Sequence, residues 1–455
     1  MANYTRQQKH DTIQFLCEEF RKYNRIDTDL FQRFDVKRGL RNADGTGVLA
    51  GLTLICNVHG YVINENEKQP IDGELIYRGI NIRDLIAGRN AQGRYGFEET
   101  VWLLLFGKLP TVEQLAMFQQ VLAECRELPQ GFTEDMIIKA PSNNIMNKLA
   151  RSVLALYSYD DRAEDNSLEN LIRQSVELIA RMPSIMVNAY QVKRRAFDHE
   201  SMYFHPCDPQ HSTAQSILST LRADRAFTEE EARLLDLCLI LHAEHGGGNN
   251  STFACRALTS SGTDTYSAIA AAIGALKGPK HGGANIKVME MLGYIKEGVR
   301  DWNDDDEVSA FLTKIMARQA GDGSGLIYGI GHAVYTKSDP RAIILKDNAM
   351  NLAKKSGYDK EFALLQAVER LAPQVFTKVK GDAKAVCANV DLYSGLIYQM
   401  LGIPPELYTP LFAISRTAGW CAHRIEESLT GGRIMRPAYK SIARENAYLP
   451  LEERK

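Results

Sequence analysis

Apolar residues recur at helical spacing along most of this chain, and only one short stretch alternates as a strand does. Leu115, Phe118, Val121, Leu122 and Cys125 share one helical face, as do Leu149, Val153, Leu156 and Tyr157. Leu234, Leu235, Cys238, Leu241 and His242 continue the pattern, and their helix has a legible start. Thr228 is placed as an N-cap, Glu231 three residues on completes a capping box, and Glu229–Glu231 put negative charge at the positive end of the helix dipole. Residues 267–276 are so rich in Ala and Ile that they predict a buried helix with close neighbours. Further helices are expected over 11–23, 284–295, 307–320, 341–355, 360–373, 394–401 and 409–429, with a charged connector from the first of them to about residue 42. By contrast, Leu52, Leu54, Cys56 and Val58 alternate with Thr53, Ile55 and Asn57. His59-Gly60 then reads as a short turn into Tyr61-Val62-Ile63, and residues 76–79 as a third short strand. The expected fold is mainly α, with a small β element near residues 50–79.

At 455 residues the chain can bury a large core without staples. With 45% hydrophobic and 24% charged residues it has globular composition, which excludes a disordered, collagen-like or disulfide-framework chain. Lys and Arg number 54 against 56 Asp and Glu, a net charge of −2 that argues against broad attachment to nucleic acid or an acidic membrane. The eight cysteines are dispersed without a CxxC pair and read as reduced thiols. The first ten residues lack the apolar stretch of a secretory signal, and no apolar run approaches the ~18 residues that span a bilayer. A cytoplasmic protein is expected.

Four segments stand out from the helical background. His242-Ala243-Glu244-His245-Gly246-Gly247-Gly248-Asn249 closes an apolar helix with two histidines three residues apart. A helix C-cap, a metal site without an evident third ligand, and a phosphate loop lacking its lysine are all open readings. Lys277-Gly278-Pro279-Lys280-His281-Gly282-Gly283 opens another helix. There the dipole disfavours a cationic His281, and a neutral imidazole can donate to a carbonyl as it becomes an enolate. Gly329-Ile330-Gly331-His332 leads through Lys337 into Asp339-Pro340-Arg341, a loop ending at a helix N-terminus with Pro at N1 and the makings of an anion site. Asn389-Val390-Asp391 precedes an apolar helix, and Asp391 there is an N-cap or a general base. Arg416, inside the apolar helix 409–429, needs a partner or an anionic ligand.

In this order, the blocks HAEHGGGN, GPKHGGAN, GIGHAVYTKSDPRA, NVDLYSG, SRTAGW and RPAY, spread over residues 242–439, resemble the citrate synthase family. Residues 51–128 resemble the family's N-terminal strands and helices, so the likeness omits only about the first 45 residues. His245 and His281 stand 36 residues apart and His332 and Arg341 stand 9 apart, in agreement with it. Tyr328, Thr336 and Cys387-Ala388 depart from the family's usual residues, all on the surface expected to meet CoA.

The resemblance implies a two-lobe helical fold, with a discontinuous large lobe (1–280 and 398–455) and a small lobe (281–397) that closes over the site. It implies an acyltransferase that condenses acetyl-CoA with oxaloacetate and water to give citrate and CoA. His281 would then bind the thioester carbonyl, Asp391 would take the methyl proton, and His332 would protonate the ketone oxygen. His245, Arg341 and Arg416 would hold oxaloacetate, with Arg436 reaching in from a neighbouring subunit of at least a dimer. His242 would support these groups, and Gly329, Gly331, Lys337 and Asn389 are the candidates for CoA contacts. No metal and no permanently bound cofactor are expected, the CoA thioester being a substrate. A 2-methylcitrate synthase using propionyl-CoA is the alternative. The readings from other classes are a non-catalytic helical binding protein and a metallohydrolase built on His242 and His245.

Overall fold

The computed structural model describes residues 6–42, 44–65, 67–381 and 385–454. The chain divides into two compact units, Met1–Leu52 and Thr53–Lys455. The first holds α1 (Arg6–Tyr23) and α2 (Asp29–Arg33), so the expected charged connector contains a short helix of its own.

The second unit opens with a three-stranded antiparallel sheet in the order β1 (Cys56–Asn64), β2 (Glu67–Tyr77), β3 (Ile80–Asn81). Cys56 pairs with Tyr77 and Asn64 with Glu67. The hairpin does not turn at His59-Gly60 as expected. β1 runs through those residues with a register shift between His59 and Tyr61, and the chain reverses after Asn64. The glycine serves close approach, since a Cβ on Gly60 would lie 2.9 Å from the Val334 carbonyl oxygen. Leu52 and Leu54 precede β1 and are exposed while Ile55 is fully buried, against the expected alternation, but within β1 Cys56 and Val58 pack on the core and Asn57 is exposed, as expected. Ile76 and Tyr77 finish β2, and the third strand starts only at Ile80.

Fifteen α-helices follow among the described residues. They are α3 (Ile82–Ala91), α4 (Phe97–Phe106), α5 (Val112–Glu124), α6 (Ile145–Leu156), α7 (Leu168–Lys193), α8 (Thr213–Leu221), α9 (Glu229–His242), α10 (Asn250–Thr259), α11 (Thr265–Lys277), α12 (Ala284–Gly298), α13 (Asp305–Met316), α14 (Pro340–Lys355), α15 (Asp359–Lys380), α16 (Asp391–Met400) and α17 (Tyr408–Leu429). The capping box of α9 forms as expected, with Glu231 N donating to Thr228 Oγ1 at 3.2 Å and Thr228 N donating to Glu231 Oε2 at 2.7 Å. Beyond Arg233, α9 is buried on every side, and so is α17 from Tyr408 to Ile425. The large core therefore surrounds two adjacent central helices, which carry His242 and Arg416. α4, α6, α7, α10 and α11 pack around α17, while α12 to α16 pack on one another. α14 touches both α9 and β2. Among the described residues, no helix is long and apolar enough to cross a membrane.

Candidate active site

His281 lies in the turn between α11 and α12, three residues before Ala284. Its Nε2 accepts from the backbone N–H of Ser251 at 3.3 Å and lies 3.0 Å from Ser251 Oγ. With Trp420 Nε1 donating to it at 3.2 Å, that hydroxyl can give its single proton to His281 Nε2, and it also lies 2.9 Å from Asn249 Oδ1. A ring nitrogen that accepts from an N–H carries no proton, so neutral His281 holds its proton on Nδ1. Burial first, and Arg416 second, push its pKa down to about 4. The ring is thus held neutral by desolvation and a neighbouring cation, a different cause from the helix dipole expected from sequence.

His332 has the opposite tautomer. Its Nδ1 accepts from the backbone N–H groups of Val334 and Tyr335, both at 3.1 Å, which leaves the proton on Nε2. The ring stacks on Tyr335 at 4.7 Å, and His245 meets it edge-on at 5.0 Å. The sheet holds this loop in place. Tyr335 Oη donates to the Glu74 carbonyl at 3.0 Å, and Gly73 N donates to Ser338 Oγ at 3.0 Å. A Cβ on Gly73 would sit 2.2 Å from the Ser338 carbonyl oxygen.

Two buried arginines flank these rings, each fixed on one side. Asp339, the N-cap of α14, accepts from Arg341 Nε at 3.0 Å and Nη2 at 2.7 Å. The cap residue therefore doubles as a bidentate counter-ion that raises the arginine's already high pKa. Arg416 Nε donates to the His242 carbonyl at 2.7 Å, and its guanidinium lies 4.7 Å over the Phe412 ring. Arg416 Nη2 and His245 Nε2 are buried without a partner. Such groups cost free energy until an acceptor arrives, as an anionic ligand would supply. Burial, with Arg341 second and His332 third, drives the His245 pKa well down, so that ring is neutral too.

Asp391 is the first residue of α16, and its N-cap role is not realised. Asn389 Oδ1 instead accepts from Asp391 N at 3.0 Å. Desolvation, opposed most by Arg341, raises the Asp391 pKa to about 6. An ionised carboxylate of that pKa is a stronger base than an ordinary Asp.

The remaining candidates are placed differently. Lys337 is exposed and paired with Asp72 at 2.9 Å. Gly329 packs so tightly that a Cβ would lie 2.9 Å from Leu392 Cα, whereas Gly331 has open space and a φ of 101°. Arg436 is exposed on the extended segment after α17 and does not join the buried cluster within this chain. His242 is buried against Phe412 and contributes its carbonyl to Arg416.

Several residues that shape the site escaped the sequence reading. Ser251 and Trp420 set the His281 tautomer, and Tyr335 carries the His332 ring. Glu244 is fully buried, with one carboxylate oxygen 3.3 Å from His423 Nε2. His423 Nδ1 in turn accepts from Arg256 Nη1 at 2.8 Å. Glu244 fits only because position 419 is glycine, where a Cβ would lie 2.0 Å from Glu244 Oε2. A Gly and a His four residues apart on a fully buried stretch of α17 were the available signal. Among the described residues, no group of three or more His, Cys, Asp or Glu could hold a metal ion.

Residues 44–438 match the family model described as citrate synthase, C-terminal domain. A citrate synthase of Synechocystis sp. is 35% identical over 391 residues, covering 84% of this chain and 89% of its own. A 2-methylcitrate synthase of Shewanella oneidensis is 31% identical, over 80% of this chain and 87% of its own. Among solved structures, the citrate synthase of Thermoplasma acidophilum, in a ternary complex, superposes with a TM-score of 0.74 at 28% identity, covering 92% of this chain and 99% of that one.

 That ternary complex holds carboxymethyl coenzyme A and oxaloacetate. The fold they share is predominantly helical and two-lobed, with a small antiparallel sheet.

Proposed function

The chain belongs to the citrate synthase family, and from that footing we propose how its own residues carry out the condensation of acetyl-CoA with oxaloacetate. The reaction is of the citrate synthase type, an acyl transfer in which the acyl group becomes an alkyl group of the product. Arg341 and Arg416 bind the two carboxylates of oxaloacetate, with His245 Nε2 beside them. Arg436 of a neighbouring subunit completes the clamp, which makes the working enzyme at least a dimer. Asp391 removes a methyl proton from the thioester while His281 Nδ1–H donates to its carbonyl oxygen. Neither group suffices alone, because the methyl proton is very weakly acidic unless the developing oxyanion is stabilised at the same moment. The enolic carbon attacks the oxaloacetate ketone, and His332 Nε2–H supplies the proton to its oxygen. Water then cleaves the citryl thioester, and CoA leaves as the thiol.

One observation carries this reading. Two neutral imidazoles of opposite tautomer and a carboxylate with a pKa of about 6 share an electrostatic neighbourhood with two buried arginines. We assign residues 281–397 to a small lobe that closes on the remainder, since α12 to α16 pack mainly on one another. Closure would shelter the enolic species from water. For CoA we assign Lys337, which can exchange Asp72 for a phosphate, and the backbone at Gly329 and Gly331, while the side chain of Asn389 is already engaged with that loop. The cytoplasm is our assignment for the compartment, supported by eight free cysteines.

Mixing the protein with acetyl-CoA and oxaloacetate should release free thiol, and no release at saturating substrate would refute the reading. The likeness to a 2-methylcitrate synthase sustains a second one, in which propionyl-CoA is preferred. One methylene is worth about 1–3 kcal/mol in a pocket, so the ratio of kcat/KM for the two acyl-CoAs decides between them.

A further inference from the structure

We propose that Asn389 is the positioning residue that holds the base and the proton donor at their working separation, an inference that rests on the roles given above to Asp391 and His332. Its side-chain amide spans both segments. Nδ2 donates to the Gly331 carbonyl at 2.8 Å, one residue before His332, and Oδ1 accepts from Asp391 N at 3.0 Å. Two backbone bonds run beside it, from Gly331 N to the Cys387 carbonyl at 2.7 Å and from Asn389 N to the Gly329 carbonyl at 2.9 Å. Ile330 and Ala388 form an antiparallel bridge between them. Gly329, with its φ of 78°, seats the loop directly on Leu392 in the first turn of α16.

Asp391 and His332 are therefore each tied, through the backbone, to one planar group. The His332 ring is itself fastened to its own loop by Val334 N and Tyr335 N, so displacement of the Gly331 carbonyl carries the ring with it. An amide suits this place because it offers one donor and one acceptor in a rigid plane and adds no charge beside Asp391. The oxaloacetate clamp is anchored elsewhere, Arg341 on Asp339 and Arg416 on the His242 carbonyl. Losing Asn389 should thus disturb the alignment of chemistry while sparing substrate binding, and small misplacements of reacting groups are costly.

The test compares wild-type enzyme with Asn389→Ala, which loses both bonds, and Asn389→Asp, which keeps the acceptor and loses the donor. Steady-state kinetics with both substrates varied are paired with equilibrium dialysis of oxaloacetate. A third measurement follows exchange of the thioester methyl protons into deuterated water, with a four-carbon dicarboxylate lacking the ketone in place of oxaloacetate. That exchange uses Asp391 and His281 but not His332. We expect kcat to fall by about ten- to a hundred-fold in both variants, with acetyl-CoA KM and oxaloacetate Kd held within about three-fold. Exchange should fall less than condensation in both variants, each read on the plateau of its pH profile because the carboxylate of Asn389→Asp raises the Asp391 pKa. A raised acetyl-CoA KM at unchanged kcat would hand Asn389 to CoA binding and overturn the proposal. Equal losses in exchange and condensation, or no loss in either, would overturn it as well. If Asn389→Ala does not fold by circular dichroism, Asn389→Asp carries the test. Wild-type enzyme that released no thiol from either acyl-CoA would refute the functional reading itself, and the proposal with it.

Discussion

At the scale of single residues, the protonation of the candidate groups is decided first by burial and then by the charges beside them. Asp391 has a folded pKa near 6 against an ordinary value of 3.8, so the folded state binds its proton more tightly than the unfolded chain does. The resulting penalty is absent below about pH 4, grows as pH rises, and is complete above about pH 6. Asp391→Asn should therefore raise stability by about 1–3 kcal/mol at pH 7.5 and by almost nothing at pH 3.5, measured by denaturant unfolding. In the wild type the acid limb of kcat/KM should fall near pH 6 and not near 4, since His281 remains neutral throughout that window. Arg416→Lys removes the donor to the His242 carbonyl or the donor for substrate, because one ammonium cannot reproduce the guanidinium fork. The oxaloacetate KM should rise about a hundred-fold in steady-state assays, with a smaller change in kcat.

At the scale of elements, glycines show where backbones must meet. Gly419→Ala in α17 would push a methyl group to 2.0 Å from Glu244 Oε2 and 2.5 Å from the Ala243 carbonyl oxygen. It should cost about 2–4 kcal/mol in chemical denaturation. Gly274→Ala, also inside a helix but with nothing within 4 Å of the new Cβ, should instead be neutral or stabilising by up to about 1 kcal/mol. The same logic explains which elements were legible. α9 announced itself because its start uses a local capping box, readable from Thr228 and Glu231 alone. The hairpin turn was misplaced because Gly60 answers to Val334, far away in sequence. α7 carries Pro183 inside its 26 residues and was not foreseen, since local punctuation there yields to packing against α6, α8 and α17.

At the scale of the whole molecule, the proposed site needs two chains, and this can be tested without a structure of the assembly. Co-folding Asp391→Asn chains with Arg436→Ala chains should restore activity that neither mutant has alone. Only the mixed dimer pairs an intact Asp391 with the partner's intact Arg436, once per molecule, so about a quarter of wild-type turnover should return in the thiol-release assay. No recovery on mixing would place Arg436 outside the partner's site. The order and spacing of His245, His281, His332, Arg341, Asp391 and Arg416 were readable from the sequence, because the first five sit in compact motifs at turns and helix ends and Arg416 is a cation among apolar neighbours in a helix. So was the helical character of the chain, which is a matter of periodicity. The tertiary structure alone decided which ring nitrogen keeps its proton, what pairs with each arginine, and why Gly60, Gly73 and Gly419 bear no side chain. Those properties belong to contacts between segments distant along the chain, and to desolvation by the surrounding core, neither of which a local pattern encodes.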